Sequence, residues 1–310
     1  MRQNPEQNNE KRGHLPELEK ETKMLPRFEY VKPDRLEEAL SFLDMHSNES
    51  KIIAGGTDLL VKMREGKTRP LWVVDLSGIR EFGGVELKSE TISIGPLATI
   101  REVEESPLIR DKAPMLSAAL KEFAFWQIKN MATLGGNLCN ASPASDLATP
   151  LLALSSKLRF LSLRGERIIP IDDFFLGPGE TAIRQDEILA EILIPTPKSK
   201  LWAFNKLGKR SAHVLSIVNV AAAMEISQDR CEDLHLALGS VAPKPVRAKG
   251  VENYLKNAAL SDKQIWEASK KVVNDIDPIS DLRASAEYRK EMSVKLTEKS
   301  IKDAMDRGKT

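Results

Sequence analysis

The stretch MATLGGNLCNASPASDLATPLLAL, residues 131–154, decides how this chain is read. Between two apolar runs it packs two adjacent glycines, an asparagine, Ser-Pro, an aspartate and Thr-Pro. A loop that only turns the chain needs one or two such residues, because a single glycine or proline sets the backbone angle. So many in succession suit backbone lying against a polar ligand. Thr133, Gly135, Gly136 and Asn137 read as a Gly-Gly loop flanked by short hydrogen-bonding side chains. Ser142, Pro143, Ser145 and Asp146 continue the pattern, with Asp146 available to accept from hydroxyls such as those of a ribityl or ribose chain. Thr149 and Pro150 read as the N-cap and first residue of the helix LLAL.

A second Gly-Gly pair lies upstream in IIAGGTDLL, residues 52–60. A β run ends in Gly55-Gly56 and opens into helical spacing, with Asp58 expected to cap the helix. Two residues without a Cβ let a phosphate approach the backbone, and a helix start offers unpaired N–H groups and about half a positive charge. Thr57 can add its hydroxyl. A tight strand-to-helix turn needing positive φ gives the same pattern, so this segment alone leaves both readings open. Neither pair extends to G-x-G-x-x-G, and G-x-x-x-x-G-K-S/T is missing, which removes the Rossmann fingerprint and the P-loop. H-E-x-x-H and C-x-x-C are missing as well. Cys231 and His235 lack the second pair a zinc site needs. The four histidines, at 14, 46, 213 and 235, all lie away from both Gly-Gly pairs in sequence.

The chain has 310 residues, enough for two or three subdomains sharing cores. Its 41% apolar and 29% charged residues match a globular domain, and 46 basic against 45 acidic residues leave a net charge of +1. No global field therefore draws it to nucleic acid or to a membrane surface. The longest apolar run, Ser216–Ile226, is broken by Asn219 and falls short of the ~18 residues of a membrane span. Residues 1–24 read as a flexible charged tail without the apolar core of a secretory signal. Two cysteines, Cys139 and Cys231, cannot build a disulfide framework or the usual four-thiolate iron–sulfur site, and a cytoplasmic location is expected.

Along the chain, RFEYVKP predicts a strand and DRLEEALSFLDMH an amphipathic helix capped by Asp34. LWVVDL (71–76) reads as a buried strand, and GVELKSETISIG (84–95) as a hairpin. ATIREVEES and APMLSAALKEFA read as helices. KLRFLSLRGERIIPI (157–171) reads as a second hairpin, followed by the strand EILAEILIP. Pro195 and Pro197 mark a boundary. Beyond it come strands in WAFNKLG, SIVNVAAAMEI and EDLHLALGSV, then helices from about residue 250 to 307. Strands grouped before helices predict an α+β architecture.

Together these segments resemble the FAD-binding medium subunit of the molybdenum hydroxylases, the family of xanthine dehydrogenase and CO dehydrogenase flavoproteins with the PCMH-type (vanillyl-alcohol-oxidase-like) fold. AGGTDLL looks like its first FAD-phosphate loop. QIKNMATLGGNLCNASPASDLATPLLAL (127–154) is similar to its second, a T-I/L-G-G-N signature with an Asp nine residues after the Asn. DFFLGPGETAI, FNKLGKRSAHVLSIVNVAAAM, GSVAPKPVRA and ASAEYRKEM follow in the family's order. The resemblance implies an FAD-binding domain over 25–197, with α+β subdomains of about 25–80 and 81–197. A C-terminal α+β domain over 198–310 resembles that of CO dehydrogenase flavoproteins.

Carried over by position, the resemblance implies that Ile52, Ile53, Ala54, Gly55, Gly56, Thr57, Asp58 and Leu59 wrap the pyrophosphate. Thr133 and Asn137 would donate to it, with Gly135 and Gly136 giving clearance. Asp146 would hold the ribityl or adenosine side, and Leu189 would line the pocket. Lys206 would sit near the flavin ring and tune its potential, so that Lys206→Ala lowers it. Phe123 aligns with an aromatic that packs on the isoalloxazine, with Phe125 as the alternative register. FAD is expected to be non-covalent, with no metal or iron–sulfur cluster in this chain. The implied partners are a molybdopterin-containing large subunit and a 2Fe–2S small subunit, as a dimer of heterotrimers, with NAD+ as acceptor. The alternatives are a CO dehydrogenase-type or aldehyde/N-heterocycle dehydrogenase subunit passing electrons to a quinone or other carrier, a stand-alone flavin oxidase, and an interaction subunit without cofactor.

Overall fold

Three larger sheets and one two-stranded sheet make up the β structure of the computed structural model, which describes residues 24–196, 201–210 and 214–307. The expected flexible tail, apart from Met24, lies outside the described residues, as do His14, Pro197 and His213. The first sheet is parallel: β1 (Glu29–Val31), α1 (Leu36–His46), β2 (Ser50–Ile53), α2 (Leu59–Arg64) and β3 (Trp72–Asp75) give the strand order β1-β3-β2. Ala39, Leu40 and Leu43, at helical spacing on α1, pack against Val74 and Leu76. Asp34 does not cap α1. Arg35 holds the N-cap position with extended backbone, so Asp34 stands one residue too early to reach the N–H groups of the first turn.

The second sheet is antiparallel, with order β4-β5-β10-β6-β7. The predicted hairpin at 84–95 forms β4 (Val85–Lys88) and β5 (Thr91–Ile94). Six helices follow: α3 (Ile100–Glu105), α4 (Pro107–Lys112), α5 (Pro114–Glu122), α6 (Trp126–Lys129), α7 (Leu134–Asn140) and α8 (Ala148–Ala153). The hairpin at 157–171 forms β6 (Lys157–Ser162) and β7 (Gly165–Pro170), and the small pair β8 (Phe175–Gly177) and β9 (Glu180–Thr181) leads to β10 (Ile188–Pro195). Alternate residues of these strands, such as Leu158 and Phe160 of β6, point into one core with Leu116, Leu134 and Leu151 of the helices. The fold is thus α+β, as the grouping of elements predicts.

The third sheet comprises β11 (Leu201–Leu207), β12 (Val218–Ser227), β13 (Arg230–Gly239) and β14 (Val246–Arg247), with α9 (Lys249–Leu255), α10 (Asp262–Ser269) and α11 (Ala286–Arg307). β12 is buried on both faces, which explains its unbroken apolar run. Its even positions Val220, Ala222 and Met224 belong to the core under α11. Its odd positions Ala221 and Ala223 join the core of the second sheet, against α8. The period of two therefore sends Asn219 toward that second core as well. Among the described residues no helix is long and apolar enough to cross a membrane.

Candidate functional site

At the end of β2 the chain turns through residues 54–58 into α2. Gly56 takes φ +70°, in the left-handed region that favours glycine. A Cβ on Gly55 would overlap the carbonyl oxygen of Met131, so this glycine is what lets the first turn touch the second. Asp58 occupies the N-cap position but in helical backbone, and its side chain makes no capping bond. A cap needs extended backbone to fold its oxygen back over the first turn. Separately, among the described residues, the N–H groups of Gly56, Thr57, Asp58 and Leu59 have no acceptor. Four successive unpaired donors at a helix start are the kind of group that can receive an anion.

The second Gly-Gly pair is not the expected loop but the first turn of α7. Thr133 caps it in extended backbone, and its Oγ accepts the Gly136 N–H at 3.0 Å. Leu134 N–H donates to Ala98 O, Gly135 N–H to Pro96 O and Asn137 N–H to Thr133 O, each at 3.0 Å. Gly135 is needed for packing, since its Cβ would stand 2.6 Å from Pro96 Cβ. Here the backbone donors are consumed, and what remains for a ligand is on side chains. Thr133 keeps its hydroxyl proton. Asn137 accepts Ser145 Oγ–H on Oδ1 at 2.7 Å, which leaves its NH2 as donor.

Thr149 is not the cap of α8. Leu147 holds that position, and Ser145 Oγ accepts the Ala148 N–H at 3.3 Å, so the helix starts before Thr149. The Thr149 hydroxyl instead donates to Asn219 Oδ1 at 2.6 Å. Asn219 Nδ2 donates to Asp146 Oδ1 at 3.0 Å, and Ser216 Oγ donates to the same oxygen. Lys206 Nζ donates to Asp146 Oδ2 at 2.7 Å and to the carbonyl of Glu122 at 3.0 Å. Both side chains of the pair are about 95% buried, at 4% and 5% exposure. Burial pushes the Glu122 carboxyl up from its ordinary value; Lys206 partly offsets this and Asp146 adds to it.

A cavity of about 950 Å³ opens between the two turns, at the upper end of the ~300–1,000 Å³ of ligand pockets. Ile52, Ile53, Ala54, Gly55, Gly56, Thr57, Asp58, Leu59, Phe123, Thr133, Gly135, Gly136, Asn137, Asp146 and Leu189 all line it. Phe125 lines it beside Phe123. Lys206 is absent from this lining; its ammonium lies behind Asp146. The far wall is stapled by Glu187, which accepts Arg167 Nε at 2.7 Å and Arg184 N–H at 2.8 Å. Burial alone would raise the Glu187 carboxyl, but those donors outweigh it and hold it below its ordinary 4.5.

Cys139 also lines the cavity, and burial pushes its thiol up to about 12. His46 packs on Phe42 and Trp72, while His235 bonds Ser155 and Ala153 O. Sequence reasoning missed Glu122, Glu187, Ser216 and Asn219. The one signal was Asn219 interrupting an apolar run, where only a buried partner justifies a polar residue. Free backbone donors beside a cavity of this size, with Gly55 and Gly135 packed against backbone where a Cβ would overlap, fit a phosphate-bearing cofactor.

Comparison with known proteins agrees. Residues 26–197 match the model of the FAD binding domain in molybdopterin dehydrogenase, and residues 202–304 that of the CO dehydrogenase flavoprotein C-terminal domain. The chain is 33% identical over 279 residues to the xanthine dehydrogenase FAD-binding subunit of Escherichia coli O157:H7, covering 89% of this chain and 95% of that one. It is 31% identical over 278 residues to the glyceraldehyde dehydrogenase medium chain of Sulfolobus acidocaldarius, covering 90% and 98%. Its fold matches carbon monoxide dehydrogenase from Hydrogenophaga pseudoflava with TM-score 0.88 at 28% identity, over 92% of this chain and 99% of that chain.

Proposed function

The chain belongs to the FAD-binding medium-subunit family of the molybdenum hydroxylases, and as an oxidoreductase flavoprotein subunit of that family we propose that it holds FAD non-covalently between its two Gly-Gly turns, takes electrons from 2Fe–2S clusters of a partner subunit and passes them to NAD+. The observation that carries the reading is the run of unpaired N–H groups from Gly56 to Leu59, sharing one cavity with the Thr133 hydroxyl and the Asn137 amide. Those six donors suit a pyrophosphate, which needs hydrogen-bond donors on both faces and tolerates no Cβ between it and the backbone. FAD, when bound, supplies the conversion between one-electron and two-electron transfer.

The chain's own residues bind and orient. Phe123, Phe125 and Leu189 give the apolar surface that an aromatic ring system needs, and Glu187 with Arg167 keeps the opposite wall in register. Non-covalent binding is supported by the Cys139 thiol, pushed up to about 12 and therefore protonated near neutrality. Among the described residues no histidine lines the cavity. A molybdopterin-containing large subunit and a 2Fe–2S small subunit, in a dimer of heterotrimers in the cytoplasm, complete the proposed assembly. Its support is kinship with chains named as FAD-binding subunit and medium chain.

The purified chain should show a flavin absorption band or gain one on adding FAD. A colourless chain that cannot be reconstituted overturns the reading. NADH added without oxygen should bleach that band. Bleaching by dithionite but not by NADH would assign the acceptor role to another carrier.

A further inference from the structure

We infer that Lys206 is a positioning strut that ties two cavity walls together from the C-terminal lobe, with Asp146, Ser216 and Asn219 as its mounting. The inference rests on the reading that this cavity takes FAD. One ammonium on β11 reaches Asp146, which lines one wall, and the carbonyl of Glu122, the residue before Phe123 on the aromatic wall. The turn that follows is strained: Ala124 takes φ +35°, in the left-handed region where a Cβ is disfavoured. A strained turn keeps its shape only when its surroundings hold it, and the strut grips it two residues upstream.

The mounting is itself fixed. Ser216 and Asn219 occupy Asp146 Oδ1, which leaves Oδ2 to the lysine. Asn219 is oriented in turn by Thr149, and Gly239 makes room for it, since a Cβ there would stand 2.6 Å from Asn219 Oδ1. All these groups are buried and mutually hydrogen-bonded, as an ion pair must be to remain in a low-dielectric interior. The Asp146 carboxylate cancels the lysine charge at hydrogen-bond distance, so the pair presents a dipole to the cavity. On this proposal Lys206 acts mechanically, in contrast to the bare cation that would tune a flavin.

The test uses the full chain and the double variant Asp146→Asn/Lys206→Met, which removes both charges and leaves no unpaired ion buried. Three quantities are measured: amide exchange of residues 122–130 without FAD, FAD affinity by titration, and the flavin midpoint potential. The strut predicts exchange faster by tenfold or more confined to that turn, FAD affinity weaker by about tenfold, and a wild-type potential. Unchanged exchange in the turn, or a lowered potential with unchanged affinity, overturns it. Ser216→Ala, which deletes one hydroxyl, should move exchange and affinity the same way by about threefold. If the double variant does not fold, this one carries the test, and wild-type behaviour overturns the role of the mounting. A wild-type chain that takes no FAD, while the turn still loosens in the variant, sinks the cofactor reading and leaves only the mechanical contact.

Discussion

The two Gly-Gly turns carry the same dipeptide and opposite hydrogen-bond economies. In the first, Gly56 is left-handed, Asp58 fails to cap, and the N–H groups of four successive residues have no acceptor. In the second, Thr133 caps a regular helical turn and every N–H from Leu134 to Asn137 is spoken for. One turn leaves backbone donors free; the other leaves free only donors on the side chains of Thr133 and Asn137. A glycine pair thus says little about a ligand until the destinations of its N–H groups are known.

Substitutions can break this comparison at graded strengths. Gly55→Ala should have the largest effect, because its Cβ overlaps backbone, the carbonyl of Met131, which has no rotamer to escape by. A loss of about 4 kcal/mol or more is expected, read as failure to fold in denaturant titration. Gly56→Ala meets only the ends of Ile53 and Leu60 side chains, so its cost is that of left-handed backbone, about 1–2 kcal/mol. Gly136→Val should fold with a loss of about 1 kcal/mol, since its Cβ lies 2.9 Å from Thr133 Oγ and disturbs the cap, yet it should lose FAD. A stable, flavin-loaded Gly136→Val chain would show that the second turn does not face the cofactor.

The smallest effect lies outside both turns and serves as a control. Glu187 has its carboxyl held below the ordinary value, so its contribution to stability is complete above pH 4.5 and drains away as pH falls below that. Glu187→Gln should flatten the acid limb of stability against pH while leaving the neutral region lower by a constant amount. An unchanged acid limb would mean that the Arg167 pair contributes nothing to the wall.

Much of the fold is legible in the chain itself. The hairpin at 84–95 alternates strictly, that at 157–171 is two β-rich runs around the Arg164-Gly165 turn, and α1 and α5 place apolar residues at helical spacing, so local pattern suffices. Caps are legible to within a residue or two. Asp34, Asp58 and Thr149 each read as caps in the sequence and do not cap, because capping depends on where the backbone leaves the extended region rather than on residue type. The network joining Glu122, Asp146, Lys206 and Asn219 brings residues of two lobes together and has no local spacing to betray it. Asn219 alone left a trace, as the polar residue inside a buried strand.

The most direct test of the contrast between the turns is residue-resolved amide exchange of the whole chain with and without FAD. The N–H groups of Gly56, Thr57, Asp58 and Leu59 should exchange rapidly without FAD and slow by tenfold or more when it binds. Those of Gly135, Gly136 and Asn137 should be slow in both states. Bound FAD with no new protection at Gly56 to Leu59 would contradict the account, whatever happens in the second turn.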